Sequence, residues 1–208
     1  MTRLAVITDV HADVHALRDA LAQIDKLNVN LLICCGDLID YGLFPEETLT
    51  LLQARNVIAI RGNHDRWAAK SGRDTSGWDL SAASVAYLES LPTGWRKLID
   101  GERVVLAHAR PGSDMIGIAS DASTRELAEI LDDAGADILI VGHTHMPFVR
   151  CLGDSRIVMN PDALLRDPAP GVEVPTPGTF AIVDVMTREV TVLCAKDGSR
   201  VNVRGTRH

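Results

Sequence analysis

Short apolar runs alternate with longer stretches of helical periodicity along the first two thirds of the chain. Five of these runs have the length and composition of buried β-strands. They cover residues 4–7, 31–35, 57–60, 104–107 and 138–141. Strands that alternate with helices predict an α/β fold built on parallel strands.

Four of the intervening segments predict helices. Apolar residues at positions 14, 17, 21 and 24 recur every three or four residues, and Asp13 suits the N-cap position before them. A second helix is predicted to begin at Pro45, because two glutamates follow in its first turn. Residues 81–91 predict a third helix, and residues 123–134 predict a fourth that ends at Gly135.

The last third of the chain follows a different pattern. Apolar runs at residues 148–152, 156–159, 180–185 and 190–193 have no helical stretch between them, which predicts antiparallel strands added to the sheets. A hairpin turn is expected at residues 153–155. Residues 161–178 contain five prolines and predict an exposed loop, and residues 198–208 predict a flexible polar tail. Without an internal repeat, we expect one domain over residues 1–208.

Composition and charge narrow the class of protein. A chain of 208 residues with 46% hydrophobic content can bury one sizeable core. The net charge of −7 argues against stable binding to a nucleic-acid backbone. No apolar run approaches the roughly 20 residues of a membrane helix, the start shows no signal-peptide pattern, and the four cysteines form no C-x-x-C pair. We therefore expect a cytoplasmic protein with reduced thiols and no membrane contact; the oligomeric state is left open.

Each of the five predicted parallel strands is followed by side chains of the types that bind metals. These are Asp9 and His11, then Asp37, then Asn63, His64 and Asp65, then His108, and last His143 and His145. Five of the seven histidines lie in these clusters, which packing alone does not explain. Because sites in open α/β sheets form beyond the carboxyl ends of the strands, we expect the clusters to meet at one edge.

The local spacing also suits a shared site. In an extended chain, residues two apart point to the same side, so Asp9 and His11 are expected to reach one point together, as are His143 and His145. The glycines before Asp37, Asn63 and His143 are expected to allow sharp turns at the strand ends. Taken singly, each cluster has an ordinary alternative as a polar turn or a helix cap. The ordered set favours a metal site, whereas His15 is interpreted as a surface residue of the first helix.

The ordered motifs resemble those of the calcineurin-like metallophosphoesterase superfamily, above all its small bacterial and archaeal phosphodiesterases. They are Asp9-x-His11, Gly36-Asp37, Gly62-Asn63-His64-Asp65, His108 and Gly142-His143-x-His145, and the resemblance extends from residue 4 to about residue 193. It implies a four-layer α/β/β/α sandwich with a dinuclear metal site at the C-terminal ends of the strands.

The resemblance also implies a role for each residue. One metal would be held by Asp9, His11 and His145. The other would be held by Asn63, His108 and His143, with Asp37 as the bridge. His64 would lie beside the metals as the catalytic acid, and Asp40 would orient it.

The implied ligands are of mixed type, which predicts two divalent transition-metal ions. Imidazole, carboxylate and amide ligands fit Mn²⁺, our first expectation, or Fe, Zn²⁺, Ni²⁺ or Co²⁺ better than Ca²⁺ or Mg²⁺. Two ions about 3.5–4 Å apart can clamp the attacking and leaving oxygens of a displacement at phosphorus. Only Asp9 and Asp37 offset the charge of two divalent ions, so the pocket is expected to attract an anionic phosphate.

The sequence departs from the family pattern beside the ligands. Ala12 stands where the first motif usually has glycine, and Ala109-Arg110-Pro111 replaces a frequent Gly-Ser-Pro. Asn160-Pro161-Asp162-Ala163 replaces Asn-Pro-Gly-Ser. Tyr41 stands where related protein phosphatases carry a phosphate-gripping arginine. We predict that Arg110 and Tyr41 bind substrate.

These features predict a phosphodiesterase that hydrolyses small phosphate esters, including nucleotide-related ones. The alternatives are a phosphomonoesterase, with Arg61, Arg66 or Arg110 as the additional cationic grip, and a metal store. A non-catalytic protein-binding scaffold is a further alternative, because a retromer subunit shares the implied fold. The segment 66–80, with Trp67 and Trp78, is a hypothetical lid.

Overall fold

Ten strands and five helices occupy the residues that the computed structural model describes, which are 1–75, 77–153, 155–166 and 178–203. The helices are α1 (Val14–Ile24), α2 (Pro45–Ala54), α3 (Asn63–Ser71), α4 (Ala82–Ser90) and α5 (Thr124–Ala134). The strands are β1 (Arg3–Ile7), β2 (Leu31–Cys34), β3 (Ile58–Ala59), β4 (Gly94–Ile99), β5 (Glu102–Ala107), β6 (Ile138–Ile140), β7 (Phe148–Cys151), β8 (Ile157–Asn160), β9 (Thr179–Asp184) and β10 (Glu189–Cys194).

The strands form two five-stranded sheets. The first has the order β10-β9-β1-β2-β3, and the second has the order β4-β5-β6-β8-β7. Strands β1, β2 and β3 run parallel in the first sheet, as do β5, β6 and β8 in the second. The antiparallel strands β9 and β10 extend the first sheet, and β7 and β4 close the edges of the second. The predicted C-terminal antiparallel strands are therefore confirmed, except that β8 pairs in parallel with β6.

Three hydrophobic clusters define four layers. One lies between helices α1 to α4 and the outer face of the first sheet. The second lies between the sheets, where Val6 and Ile33 join Leu106 and Ile140. The third lies between the second sheet and α5, and includes Leu127. The expected α/β/β/α sandwich is confirmed.

The burial of two adjacent cysteines illustrates the layering. Successive strand residues point to opposite faces. Cys34 accordingly packs in the helix-facing cluster and Cys35 in the cluster between the sheets, and both are fully buried. Both side chains therefore pack as small apolar residues.

Local sequence signals set the ends of the predicted helices. The Asp13 carboxylate accepts a hydrogen bond from the Ala16 backbone N–H at 2.8 Å, as expected for an N-cap. Pro45 begins α2. Gly135 ends α5 with a φ of +59°, a conformation that glycine adopts without a steric penalty.

Two elements were not predicted from the sequence. Strand β4 has only Ile99 buried, because it lies at a sheet edge, and its sequence therefore lacks a strong apolar pattern. Helix α3 begins at the ligand motif of residues 62–65, for which the sequence predicts no helix, and it continues into the segment 66–80, so the first part of the hypothetical lid is helical. Residues 167–177 and 204–208 lie outside the described residues, as does Asp154, and so do most of the predicted loop and of the tail.

None of the helices among the described residues has both the length and the apolar character needed to cross a membrane.

Candidate metal centre

The carboxyl ends of the two sheets are joined by direct hydrogen bonds. Beyond β1 and β2, the Asp9 and His11 backbone N–H groups donate to the carbonyls of Gly36 and Asp37, both at 3.0 Å. From the second sheet, the His143 backbone N–H donates to the Asp9 carboxylate at 3.0 and 3.1 Å. The clusters predicted at five separate strand ends therefore meet at one edge.

Most of the glycines at this edge allow the backbone to approach neighbouring side chains closely and are not needed for a sharp turn. Gly36 has a φ of +97°, as predicted. Gly62 and Gly142 do not have positive φ angles. A Cβ at Gly142 would lie 2.1 Å from Thr8 Oγ1, and one at Gly62 would lie 2.1 Å from Asp37 Oδ1. At these two positions glycine fits because any side chain would collide with the residues of the site, and not because the chain turns sharply.

The expected extended geometry of the ligand pairs is wrong. Asp9, His11, His143 and His145 have φ angles of +49°, +50°, +70° and +50°. These lie in the left-handed region, which non-glycine residues rarely adopt. Backbone strain of this kind concentrates at functional sites and is sustained by surrounding contacts. The paired side chains do converge, but through left-handed turns.

One group of ligand atoms comes from Asp9, His11 and His145. His145 Nε2 lies 3.0 Å from His11 Nε2 and 3.3 Å from Asp9 Oδ1. Asp9 and His11 are fully buried. These are the three residues that the resemblance assigns to one ion.

A second group comes from Asp37, His108 and His143, with Asn63 between the two rings. Asn63 Oδ1 lies 3.0 Å from His108 Nε2 and 3.0 Å from His143 Nδ1. Asp37 Oδ2 lies 3.1 Å from His108 Nε2 and 4.0 Å from His11 Nε2 of the first group. Asp37 is thus placed between the two groups.

Backbone carbonyls hold three of the histidines by the ring nitrogen that faces away from the centre. His11 Nδ1 donates to Ile39 at 3.1 Å, His108 Nδ1 donates to Cys35 at 2.8 Å, and His143 Nε2 donates to Met115 at 3.1 Å. Because a carbonyl only accepts, each neutral ring keeps its proton on that side. The opposite nitrogen then presents a lone pair to the centre, the arrangement typical of metal-binding histidines.

The Asn63 amide provides a test of whether these residues fit a cation. Its oxygen faces the two ring nitrogens of His108 and His143, so three acceptor atoms meet with no donor between them whenever both rings are neutral. The reversed amide would instead donate to both rings and to the Asp114 carbonyl. A cation between the three acceptors favours the first orientation. The donor set of imidazole, amide and carboxylate therefore fits divalent transition-metal ions.

The charges of the centre are strongly coupled. Burial lowers the pKa of His11 to about 4. Burial would also lower the pKa of His108, but the adjacent Asp37 carboxylate raises it to about 10. Burial would raise the pKa of Asp37, and the charge of His108 lowers it instead. Both partners thus favour their charged forms, and a metal ion would compete with protons for the same lone pairs.

His64 lies beside the ligand groups, in the first turn of α3. Its Nδ1 is 2.5 Å from Asp40 Oδ2, and its backbone N–H donates to Asp37 Oδ1 at 3.0 Å. Burial would lower the pKa of His64, but the hydrogen bond to Asp40 raises it. Asp40 is itself held by the Thr75 backbone N–H at 2.6 Å. The structure therefore brings His64 and Asp40 together as the sequence predicts.

An open cavity of ≈360 Å³ gives access to the centre. Its lining consists of Asp37, Tyr41, His64, His143, Thr144, His145 and Met146. Tyr41 is therefore placed as predicted, with its ring centroid 4.6 Å from that of His11. Arg110 is not part of this lining. It closes the segment 110–116 through backbone hydrogen bonds with Ser113 and Ile116.

A model of the calcineurin-like phosphoesterase superfamily domain matches residues 2–188. The chain belongs to this superfamily. A probable metallophosphoesterase of Methanothermobacter thermautotrophicus is 30% identical, over 76% of this chain and 74% of that protein. An uncharacterized protein of Methanocaldococcus jannaschii is 29% identical over 70% of this chain. The match covers 63% of that protein's length.

Solved structures support the same assignment. A metallophosphoesterase from Sphaerobacter thermophilus is 28% identical to this chain, with a TM-score of 0.71 over 98% of this chain and 90% of the other. Zinc-complexed Vps29 from Entamoeba histolytica is 20% identical, with a TM-score of 0.57 over 96% of each chain, and shows a likeness of fold alone.

Two residues that support the candidate metal centre were given no role from the sequence. Asp65 accepts hydrogen bonds from the backbone N–H groups of Gly62 at 2.9 Å and Leu38 at 2.8 Å, which fixes the segment that carries Asp37. Burial raises the pKa of Asp65 to about 7. Asn160 Nδ2 donates to the Gly142 carbonyl at 2.8 Å. Asp65 stands at the third position of α3, so recognition of that helix would have indicated its capping role.

Proposed function

We propose that this phosphoesterase is a metal-dependent phosphodiesterase of small phosphate esters. The observation that carries the proposal is the convergence of two groups of inward lone pairs, with Asp37 between them and His64 beside them. These groups open into one cavity. A centre that only stored metal would have no use for the adjacent His64–Asp40 pair.

In this proposal, Asp9, His11 and His145 hold one divalent ion. Asn63, His108 and His143 hold the other, and Asp37 contacts both. Mn²⁺ is the ion we favour, and Fe, Zn²⁺, Ni²⁺ and Co²⁺ suit the same donors. When bound, the ions would supply Lewis acidity toward the phosphoryl oxygens and would lower the pKa of water to near neutrality.

His64 acts on the leaving group. As the bond between phosphorus and the leaving oxygen breaks, Nε2 of protonated His64 donates its proton to that oxygen. Asp40 accepts from Nδ1–H, which fixes the ring and stabilises its protonated form. We therefore assign His64 as the general acid and Asp40 as its positioning residue.

The charge of the cavity favours a diester over a monoester. A monoester dianion calls for an additional cationic grip. Arg110 does not line the cavity, and Arg66 is committed to Asp114 through contacts of 2.5 and 3.1 Å. Tyr41 stands in the lining where a phosphate-gripping arginine would act. The phosphomonoesterase therefore remains the second candidate.

A binding scaffold is the alternative outside enzymology, because Vps29 has the same fold. A scaffold has no need of an acid beside its ligand groups. The 2.5 Å contact between His64 and Asp40 therefore favours catalysis.

The test is a metal add-back assay. Metal-free protein is supplied with Mn²⁺ and given an aryl phosphodiester, an alkyl phosphodiester and an aryl monophosphate. We expect diester hydrolysis that requires metal, is abolished by Asp37→Ala and is sharply reduced by His64→Ala for the alkyl ester. His15→Ala, a change at an exposed histidine of α1, is the matched control and is expected to have no effect.

Two results would contradict the proposal. Hydrolysis of the monoester alone would favour the phosphomonoesterase. A folded, metal-loaded protein that hydrolyses none of the three esters would favour the scaffold.

We also propose a cytoplasmic location. Cys34, Cys35 and Cys194 are buried free thiols, and Cys151 is an exposed one. Free thiols of this kind suit a reducing compartment.

A further inference from the structure

Two aromatic rings flank His64. The ring centroid of Tyr41 lies 4.7 Å from that of His64, and the ring centroid of Trp67 lies 4.9 Å from it. Tyr41 comes from the segment after β2, and Trp67 is three residues beyond His64 in α3, where side chains share a helix face. Tyr41 and His64 line the cavity, and Trp67, which lies outside that lining, contacts His64. We expect a group bonded to an oxygen that His64 protonates to lie near Tyr41 and to extend toward Trp67.

Arg66, which is itself held by Asp114, orients the Trp67 side chain. The Arg66 guanidinium carbon lies 5.8 Å from the centre of the Trp67 ring, and Asp114 holds Arg66 by two contacts. The indole of Trp67 thus contacts both the Arg66 guanidinium and the His64 ring. Its position is built before substrate arrives, which reduces the entropy lost on binding.

Three of the segments that reach the centre also carry exposed apolar side chains. Trp67 is 37% exposed, Met115 is 49% exposed and Met146 is 55% exposed. Met146 lines the cavity, and the Met115 carbonyl accepts the hydrogen bond from His143. Met146 thus adds exposed apolar surface to the cavity that Tyr41 and His64 also line.

We propose that Tyr41 and Trp67 select phosphodiesters whose leaving alcohol carries a planar aromatic body. This inference rests on the proposed function. Aromatic rings gain from edge-to-face and offset stacking beyond the burial of apolar area, and an aliphatic group of equal size does not share this gain. Tyr41 and Trp67 are specificity residues in this account, whereas His64 performs the proton transfer.

The test compares two methyl phosphodiesters that differ in the leaving alcohol, 2-phenylethanol or 2-cyclohexylethanol. The two alcohols are close in size and acidity, and only one has a planar ring. We expect the Mn²⁺-loaded enzyme to release phenylethanol rather than methanol. We also expect a kcat/KM roughly tenfold higher for the phenyl ester.

Three variants locate the preference. Trp67→Ala is expected to bring the ratio of the two kcat/KM values close to one, and Trp67→Phe is expected to keep most of it. Trp78→Ala removes another exposed tryptophan, at 52% exposure, and is expected to leave the ratio unchanged.

The outcomes distinguish this inference from the proposed function. Hydrolysis of both diesters at equal rates, or a preference that survives Trp67→Ala, overturns the aromatic selection and leaves the phosphodiesterase intact. Equal loss of both activities in Trp67→Ala, with an unchanged ratio, would assign Trp67 to the support of His64 and overturns the selection too. Failure to hydrolyse either diester removes the proposed function first and this inference with it.

Discussion

The two ligand groups of the centre differ in charge and in anchoring. The group of Asp9, His11 and His145 contains a carboxylate of its own and borders the shared Asp37. The group of Asn63, His108 and His143 has no carboxylate of its own and depends on Asp37 for negative charge. Because opposite charges attract strongly at sites removed from water, we expect the first group to bind its ion more tightly.

The anchoring of the groups points in the same direction. Asp9 and His11 follow β1 directly and are fully buried. In the second group, Asn63 begins a helix, and His143 depends on the carbonyl of the exposed residue Met115. One ion would therefore act as a fixed part of the centre, and the other would exchange more readily.

Asp37 is the residue common to both groups, so its loss has the largest expected effect. Asp37→Ala is expected to lower diester kcat/KM by about 10³-fold or more, because an active centre of this type stabilises several kcal/mol of transition-state charge. Steady-state kinetics with saturating Mn²⁺ measure the loss. The exposed Asp121 provides the control Asp121→Ala, which should behave as the unmodified enzyme. A modest loss would mean that the two groups act separately.

A substitution of Asp40 tests the role of His64 as the acid and is expected to leave metal binding unchanged. Asp40→Asn is expected to lower kcat by about 10²-fold for an alkyl diester, because the support of protonated His64 is lost. The loss should be much smaller for a p-nitrophenyl ester, whose leaving group needs little protonation. Equal losses for the two esters, or a lower metal content, would assign Asp40 to the fold or to metal binding.

Gly142 tests how far the first group depends on close backbone approach. In Gly142→Ala, the new methyl group would meet Thr8 Oγ1 and Asp9 Oδ2, which lie 2.1 and 2.5 Å from the Cβ position. Overpacking of this kind is expected to lower the free energy of unfolding by roughly 1–3 kcal/mol, measured by urea denaturation. Gly153→Ala is the matched control, because nothing lies within 4 Å of its Cβ position. Equal stability of the two variants would show that the strand ends adjust.

Two isosteric substitutions, one in each group, reverse the charge difference between the groups. Their expected effect, a change in metal affinity, is the smallest of those predicted. Asp9→Asn is expected to weaken the tighter ion by at least about tenfold, and Asn63→Asp is expected to strengthen the weaker ion by a similar factor. Calorimetric titration with Mn²⁺ measures both affinities. Affinities that do not respond to either change would mean that charge does not distinguish the groups.

The sequence predicts best what neighbouring residues decide. Helices α1 and α5 are each bounded by a capping residue that can be recognised locally, Asp13 in the first and Gly135 in the second. The residues of the candidate metal centre could also be located, because histidines and carboxylates at five strand ends have no common role in packing. Their convergence then follows from the parallel topology.

Other features depend on contacts between distant parts of the chain. The left-handed conformation of Asp9 and His11 is sustained by hydrogen bonds to the segment at residues 36–38, which local sequence does not reveal. Helix α3 begins with polar ligand residues and shows no apolar periodicity before Ala68 and Ala69. Arg110 was expected at the substrate because it follows His108, but the segment 110–116 folds back on itself and keeps it out of the lining.

A stepwise metal titration shows whether two ions of unequal affinity act together in this centre. Metal-free enzyme is titrated with Mn²⁺ while bound metal and alkyl-diester hydrolysis are followed in the same samples. We predict two equivalents bound in separable steps, with hydrolysis rising only as the second equivalent binds. Full activity with one equivalent bound, or a single equivalent at saturation, would contradict the account.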